Sequence, residues 1–407
     1  MPPPLASIKV LDLSRVLSGP FATQQLVDLG ATVIKVEHPE SGDDTRGFGP
    51  PFIGGESTYF MSVNRGKKSV AIDLKHPDGA RLVRDLTRRA DVVIENFRPG
   101  AAERLGLGME ALRRESPRLV TCSISGYGAD GTPEFAGRAG YDAVIQAGSG
   151  LMSVTGAVDG PPSRVGLAIA DLVSGLFAAQ GILAALLARA ETGEGRHVDV
   201  SMQEAMATLL TYQAAIYFAT GVSPQRMGDA HPSICPYESF QTKDGLFMLA
   251  VGNDAQFVRF AERIGRPELA TDPRFSTNRA RVEHRPALLA EIAPKLAERT
   301  GAEWERWLAA EGIPGGPVLS IAQALEHPQL HARGAILTHA HPTAGAIRSV
   351  ASPIHLAGDP RAQLTPPPRL GEHTREILAG ELGLSLEAIT DLAKRKAIVA
   401  LDLGDPG

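Results

Sequence analysis

The sequence predicts an α/β fold with an open parallel sheet and a smaller second domain. Over residues 1–200, apolar stretches of strand length alternate with amphipathic stretches of helix length, which is the order of parallel βαβ units. Near residue 221 the alternation gives way to the Pro-, Gly- and Ser-rich segment VSPQRMGDAHPSIC. A change of this kind indicates a linker between two domains.

The first unit begins with IKVLDLS as a buried strand. A helix opened by Gly19-Pro20 and closed by Gly30 follows, and ATVIKVE is the next strand. The pattern repeats in PDGARLVRDLTRRA with DVVIENF, in GMEALRRESP with RLVTCSIS, and in RHVDVSM. Right-handed crossovers then place the carboxyl ends of the strands at one edge, where ligands of such sheets bind.

Three segments are expected. Residues 1–221 form a large domain, 222–320 a small α+β domain with its linker, and 321–407 a C-terminal segment that packs back on the large domain. A hairpin is predicted around Lys243-Asp244-Gly245.

The composition is that of an ordinary globular protein. The chain has 407 residues and a net charge of -5, so we expect no general attraction to nucleic acid or membrane surfaces. The N-terminus lacks the pattern of a signal peptide, and two cysteines form no disulfide framework, so we expect a cytoplasmic protein. The apolar runs 172–188 and 205–225 are predicted to be helices of a large core rather than membrane spans.

Several common motifs are absent or out of context. Gly126, Gly128 and Gly131 satisfy G-x-G-x-x-G, but TPEFAGRAG follows instead of a helix, which favours a glycine-rich turn over a dinucleotide site. The histidines lack metal-ligand spacing, and G-x-S-x-G does not occur.

Two basic clusters could bind phosphate groups or lie solvated at the surface. NRGKKS places Arg65, Lys67 and Lys68 in one turn, and Arg98 and Arg104 flank a predicted helix start. The pattern leaves both alternatives open.

Asp171 is the one ionisable side chain between Val165 and Arg189. It could cap the following helix, since Asp is a preferred N-cap residue. It could also be a nucleophile that the helix dipole keeps ionised in dry surroundings. Both interpretations remain open from the residues alone.

Across nearly the whole chain, the order of motifs resembles the class III CoA-transferase family (CaiB/BaiF type). The motifs are VLDLSRVLSGPFATQQLVDLGATVIKVEHPESGDDTR, NRGKKSVAIDLK, VIENFRPGAAERLGLG, GYGADGTPEFAGRAGYDAVIQAGSGLMSVTG, the Asp171 segment, GRHVDVSMQEA, GIPGGPV and LGEHTREIL. The resemblance implies a Rossmann-like large domain completed by the C-terminal segment, a small domain between them, and two interlocked chains.

The resemblance also implies a site. Asp171 matches the family nucleophile, which forms a mixed anhydride and then an aspartyl-CoA thioester. CoA thioesters are substrates, with no permanently bound cofactor or metal. His38 stands where the family often has arginine. The implied CoA contacts are Val16, Leu17, Ser18, His38, Ile72, Lys75, Asn96, Phe97, Arg98, Arg104, Arg138 and Met202.

Substrates are predicted by analogy. GDAHPSICPY replaces the tetraglycine loop of the oxalate enzymes, and GYDAVIQAGSGLMSVTG resembles the succinyl-CoA branch, so we expect succinyl-CoA and a small dicarboxylic acid. The alternatives are a 2-methylacyl-CoA racemase and a non-catalytic CoA-binding protein. Tyr141 stands where racemases carry histidine, and tyrosine is a poor base at neutral pH.

Overall fold

The computed structural model describes residues 2–135, 137–357 and 364–401. The chain forms two compact units, of which the first comprises Met1–Leu151, Val165–Ala215 and His331–Gly407. The second comprises Met152–Arg164 and Ile216–Leu330. Residues 152–164 therefore group with the second unit, whereas the sequence placed them in the large domain.

The regular elements follow one another along both units. The strands are β1 (Lys9–Asp12), β2 (Thr32–Glu37), β3 (Phe52–Ile53), β4 (Glu56–Ser57), β5 (Lys68–Ile72), β6 (Val92–Glu95), β7 (Val120–Ser125), β8 (His197–Ser201), β9 (Tyr237–Gln241), β10 (Leu246–Ala250), β11 (Gly315–Pro317), β12 (Ile336–His341), β13 (Gly345–Val350) and β14 (Ile398–Val399). The helices are α1 (Ser18–Asp28), α2 (Thr58–Ser62), α3 (Pro77–Thr87), α4 (Ala101–Arg104), α5 (Met109–Glu115), α6 (Asp142–Gly148), α7 (Ile169–Thr192), α8 (Met202–Leu209), α9 (Thr211–Thr220), α10 (Asp254–Arg263), α11 (Asn278–Glu283), α12 (Arg285–Leu296), α13 (Gly301–Ala310), α14 (Ile321–Leu325), α15 (Pro328–Ala332), α16 (Thr374–Leu382) and α17 (Leu386–Lys394). Within the described residues, 3₁₀ turns occur at Asp44–Gly47, Leu151–Val154 and Pro267–Ala270.

The first unit is built on a sheet with the strand order β14-β5-β2-β1-β6-β7-β8. Neighbouring strands pair in parallel from β5 to β8, with Val10 opposite both Val33 and Val92. The chain winds outward from β1 to β5 and then restarts at β6, so the order reverses between β1 and β6. The prediction of a parallel α/β sheet is confirmed.

The C-terminal segment completes this sheet. β14 pairs antiparallel with β5 at the edge, with Ile398 opposite Ile72. α16 and α17 contribute Leu378 and Leu392 to the core on the same face. Residues of α16, α17 and β14 thus belong to the same hydrophobic core as Leu11 of β1.

Helices cover both faces of the sheet. Along β1, Val10 lies in a core with Leu26 of α1 and Ile182 of α7, while Leu11 lies in a second core with Leu82 of α3. Successive side chains of a strand point to opposite faces. Both faces of the sheet are buried, which explains why the strands are apolar at nearly every position.

The two long apolar runs are less buried than predicted. α7 packs one face in the core, but Leu187 on another face is 70% exposed. The second run breaks into α8 and α9 at Thr211, and α9 has no buried residue. By length and composition α7 could cross a membrane, but its inner face packs as that of a core helix does.

The second unit has its own core. β9, β10 and β11 form an antiparallel sheet, and Leu246 pairs with Gln241 across the predicted Lys243–Gly245 hairpin. Phe247, Phe257 and Trp304 are buried against this sheet with the surrounding helices. The hairpin prediction is confirmed.

α1 and α7 pack in close contact at Gly175. A Cβ atom on Gly175 would lie 2.6 Å from the Ser18 carbonyl oxygen, which belongs to rigid helix backbone. We expect Gly175→Ala to destabilise the protein by about 1–3 kcal/mol, because overpacked contacts force the backbone to move. The urea midpoint of unfolding measures this change.

Gly380 in α16 is the matched control. It is exposed, and a Cβ atom there meets nothing within 4 Å. Gly380→Ala should therefore raise stability by up to about 1 kcal/mol through helix propensity. Equal effects of the two substitutions would contradict the close contact at Gly175.

Candidate active site

A cleft of about 170 Å³ opens at the carboxyl ends of β1, β6 and β7. This is the point where the strand order reverses, the usual ligand site of open α/β sheets. The cleft brings together eight of the predicted site residues: Val16, Ser18, Asn96, Phe97, Arg98, Arg138, Asp171 and Met202.

A second cavity of about 290 Å³ holds three others, which are His38, Ile72 and Lys75. Arg15 and Phe97 line both cavities, so the two adjoin. The remaining two predicted residues line neither. Leu17 is buried immediately before α1, and Arg104 ends α4 with its guanidinium beside Gly100.

The turn after β1 adopts an unfavourable conformation. Val16 has a φ of 66°, which is costly for a β-branched residue. Asn96 clamps the preceding residue, because its Oδ1 accepts from the Arg15 N–H at 2.8 Å and its Nδ2 donates to the Arg15 carbonyl at 2.7 Å. The Val16 N–H itself donates to the Asp43 carboxylate at 3.2 Å.

A buried ion pair between Lys35 and Asp43 supports this turn. The Lys35 Nζ lies 2.8 Å from the Asp43 Oδ2 and donates to the Ser14 carbonyl at 2.8 Å. Burial opposes the charge on Asp43, but Lys35 and the hydrogen bonds from Thr45 outweigh it and lower the pKa of Asp43 to about 2. The turn is therefore held by charges that water does not screen.

The basic turn at 65–68 does not serve a ligand in these cavities. The Lys67 Nζ is buried 3.3 Å from the Asp12 carboxylate, and Arg65 pairs with Asp28 at 2.6 Å. Lys68 pairs with Glu376 on α16. Neither of the two alternatives holds for Arg65 and Lys67, whose charges are neutralised inside the fold, and Lys68 is paired at the surface.

Asp171 lies in the first turn of α7 rather than at its cap. The helix begins at Ile169, and the capping position is Ala168, which offers no side-chain acceptor. The N-cap interpretation is therefore wrong. The first-turn position still lets the carboxylate face the cleft.

The charge state of Asp171 differs from the sequence expectation. Burial raises its pKa, the neighbouring Asp142 carboxylate raises it further, and a hydrogen bond from Ser18 partly offsets both, so the pKa is about 7. The helix start alone does not keep this group fully ionised. Protonated and ionised forms coexist at neutral pH.

Asp142 is held in place by both neighbouring segments. Its Oδ1 accepts from the Ala170 N–H at 2.9 Å, and its Oδ2 accepts from the Gln146 Nε2 at 2.9 Å. Gln146 is buried and also accepts from the Val165 N–H. This network ties α6 to the start of α7.

The predicted site residues omitted three charged side chains of the cleft, which are Arg15, Asp44 and Asp142. Arg15 and Asp142 line the cleft, and the pKa of Tyr59 is raised by burial and by the Asp171 and Asp142 charges. The sequence signal for Asp142 is its place in the GYD segment, directly after Tyr141.

Exposed cations surround both cavities. Arg98 and Lys75 have no ion-pair partner in the described part of the chain, whereas Arg138 pairs with Glu134 at 3.1 Å. Across residues 2–135, 137–357 and 364–401, no three His, Cys, Asp or Glu side chains are grouped to hold a metal. The G-x-G-x-x-G segment leads from β7 into a loop, and the next helix there is α6 at Asp142.

Comparison with known proteins decides the family. The model of CoA-transferase family III matches residues 5–374. The chain belongs to CoA-transferase family III. As a family III CoA-transferase it is an enzyme, and it shares the α/β fold with a mostly parallel sheet of its structural neighbours.

Relatives of this CoA-transferase match it over most of their length. Succinyl-CoA:glutarate CoA-transferase of Mus musculus is 43% identical over 96% of this chain and 89% of its own. Succinate–glutarate CoA-transferase of Agrobacterium fabrum is 42% identical over 93% and 95%. The crystal structure of a CaiB/BaiF family protein from Brucella suis is 42% identical, with a TM-score of 0.83 over 94% of this chain and all of that chain.

Removing the Asp142 charge should lower the pKa of Asp171. Asp142→Asn keeps an acceptor for the Ala170 N–H but no longer repels the Asp171 charge. We expect the acid limb of the CoA-exchange rate to move to lower pH. Asp130→Asn, an exposed change of the same chemistry, is the control, and an acid limb that stays in place in Asp142→Asn would contradict this electrostatic assignment.

The Lys35–Asp43 pair should make stability sensitive to acid. The pKa of Asp43 falls from 3.8 to about 2 on folding, so its contribution is present above pH 4 and is lost as the pH falls to 2. We expect Asp43→Asn to be less stable than wild type at pH 5, with the gap narrowing by about 2 kcal/mol at pH 2. Urea unfolding at both pH values measures the gap, and a constant gap would refute the assignment.

Proposed function

We propose that this enzyme transfers CoA from succinyl-CoA to a small dicarboxylic acid, with Asp171 as the nucleophile. The observation that carries the proposal is a half-buried carboxylate at the strand-order reversal, flanked by exposed cations. The substrates in the names of the mouse and Agrobacterium relatives support the donor and the acceptor class.

The transfer proceeds through covalent intermediates on Asp171. Its carboxylate attacks the thioester carbonyl and displaces the CoA thiolate. The product is a mixed anhydride of the donor acid and Asp171. The thiolate then attacks the Asp171 carbonyl and releases the donor acid, which gives an aspartyl-CoA thioester. The acceptor carboxylate repeats these steps in reverse order, so Asp171 is regenerated.

Several features of the cleft favour this chemistry. Only the ionised form of Asp171 attacks, and a pKa of about 7 leaves a useful fraction ionised at neutral pH. Burial limits hydration of that carboxylate. The first backbone amides of α1 lie beside the cleft without a side-chain cap, so they are available to the oxyanion that forms at the attacked carbonyl.

The two adjoining cavities suit the two ends of CoA. We place the thioester end in the cleft with Asp171 and the nucleotide end against Ile72, His38 and Lys75. Phe97 lines both cavities and lies along the pantetheine arm. Lys75 supplies positive charge for the phosphates in the second cavity, and Arg98 and Arg138 line the cleft that takes the thioester end. Arg104, which the family resemblance assigns to a phosphate, lines neither cavity.

We also propose an interlocked homodimer in the cytoplasm. No residue of α9 is buried, and Phe218 is 81% exposed. Such surfaces mark interaction sites, and the family resemblance implies a second copy of this chain as the partner. Cys122 and Cys235 are buried free thiols, which suits a reducing compartment.

Asp171 can be tested directly as the nucleophile. Succinyl-CoA is incubated with a panel of carboxylic acids while CoA esters are followed by mass spectrometry. We expect exchange with dicarboxylic acids, modification of Asp171 by hydroxylamine during turnover, and a loss of at least about 10³-fold in Asp171→Ala, since covalent catalysis is removed.

Asp85→Ala removes a half-exposed carboxylate on α3 and should retain the wild-type rate. Exchange that persists in Asp171→Ala would refute the nucleophile. Exchange with none of the acids, together with solvent deuterium entering the α-carbon of a 2-methylacyl-CoA, would favour the racemase.

A further inference from the structure

We propose that Gln146 is a positioning residue for the transfer, because it holds the Asp142 carboxylate in place as the cap of the helix that carries Asp171. Gln146 is fully buried and lines neither cavity, so it acts through Asp142 and not by contact with a substrate. This inference rests on the proposed function of Asp171 as the nucleophile and adds a residue that sets its position.

The helix α7 receives its N-terminal cap from another helix. The first N–H groups of a helix have no partner within it, and a capping side chain normally accepts from the second or third of them. Ala168 stands at the capping position and has no such side chain. Instead, the Oδ1 of Asp142, the first residue of α6, accepts from the N–H of Ala170, the second residue of α7, at 2.9 Å. The next residue in the chain is Asp171.

The neighbours of Gln146 determine which end of its amide faces Asp142. The Val165 N–H can only donate, and it lies 2.9 Å from one end of the amide, which is therefore Oε1. The other end is Nε2, which donates to the Asp142 Oδ2 at 2.9 Å and to the Leu167 carbonyl oxygen at 3.1 Å. Both amide hydrogens are therefore used, and the Asp142 carboxylate is bound through each of its oxygens.

These contacts hold the chain that leads into α7. The last residues before this helix form no helix or strand, and the Leu167 side chain is 61% exposed, so it gains little from packing. Gln146 bonds this segment at Val165 and Leu167, and Asp142 bonds the chain at Ala170. The backbone is thus fixed immediately before the residue that must meet the thioester carbonyl.

An amide side chain of this length matches all of its neighbours. Gln146 offers one acceptor and two donors, and the N–H, the carbonyl and the carboxylate around it require that set. A carboxylate at this position would face two oxygen atoms, and an apolar side chain would offer none of the three contacts. Because rates depend steeply on the placement of reacting groups, a displacement of about 1 Å costs about 10²-fold.

Gln146→Met removes the amide from a side chain of similar size. We expect kcat for CoA exchange between succinyl-CoA and the best dicarboxylic acceptor to fall by about 10²-fold, because Asp171 is no longer held in line with the thioester. The Kd for CoA, measured by calorimetry, should stay within about threefold of wild type, because Gln146 lines neither cavity. All kcat values are taken on the high-pH plateau, so that a changed pKa of Asp171 does not contribute.

Gln24→Met is the matched control. Gln24 is a buried glutamine of α1 whose Nε2 lies 3.5 Å from the Asp28 carboxylate and whose Oε1 has no hydrogen-bond partner within the described chain. The same substitution there should leave kcat within about twofold of wild type. Urea unfolding is used to confirm that both variants are folded under the assay conditions.

Exchanging the two groups tests the contact between Gln146 and Asp142 itself. Gln146→Glu keeps an acceptor for the Val165 N–H but directs a second oxygen at the Asp142 Oδ2, so kcat should fall by at least about 10²-fold. Adding Asp142→Asn retains the acceptor for the Ala170 N–H and supplies an amide donor to the new carboxylate. We expect the pair to recover at least about tenfold in kcat over Gln146→Glu alone, as coupled residues do. This measurement does not depend on whether Gln146→Met folds.

The outcomes separate this inference from the proposed function. Wild-type kcat in Gln146→Met, with Asp171 modified by hydroxylamine during turnover, would overturn the positioning role and leave the nucleophile in place. No recovery in the pair would also overturn it, and so would a loss in Gln146→Met that is matched by weaker CoA binding. Absence of modification of Asp171 in the wild-type enzyme would instead overturn the proposed function.

Discussion

The buried ion pair between Lys35 and Asp43 holds the turn around which the cleft is built. Lys35 comes from β2 and reaches the backbone at the end of β1, while Asp43 accepts the N–H of the strained Val16. A valine with a left-handed backbone conformation persists only where its surroundings compensate the strain. Asn96 hydrogen-bonds the backbone of this turn, and Ser18 follows it in the chain. An ionic contact outside the cleft therefore supports the segment that lines it.

The Asp171 carboxylate is divided between its protonated and ionised forms at neutral pH. Burial and Asp142 favour the protonated form of Asp171, and Ser18 favours the ionised form. A pKa of about 7 makes the carboxylate more basic than an exposed aspartate, whose pKa is about 3.9. In the transfer that we propose, this is useful, because a more basic oxygen is a better nucleophile while enough of it remains ionised at neutral pH.

Patterns local in the sequence were predicted well. Alternating strands and helices, the β9–β10 hairpin and the glycine-rich turn after β7 depend on neighbouring residues, and the structure has all three. The family was also accessible, because many short motifs recur in one order. The exposure of α9 could not be predicted from the sequence. An apolar composition does not distinguish a helix buried in its own chain from one that is exposed.

The sequence by itself determined the parallel sheet, the family and the candidate nucleophile, because strand periodicity and motif order are properties of the linear chain. Tertiary structure decided which charged side chains form ion pairs and how far Asp171 is protonated. Arg65 and Lys67 turn inward to Asp28 and Asp12, and Asp171 meets Asp142 and Ser18 from distant segments. The energy of a charge depends on its burial and on neighbours brought together by packing, which is why the protonation of Asp171 could not be predicted from the helix start alone.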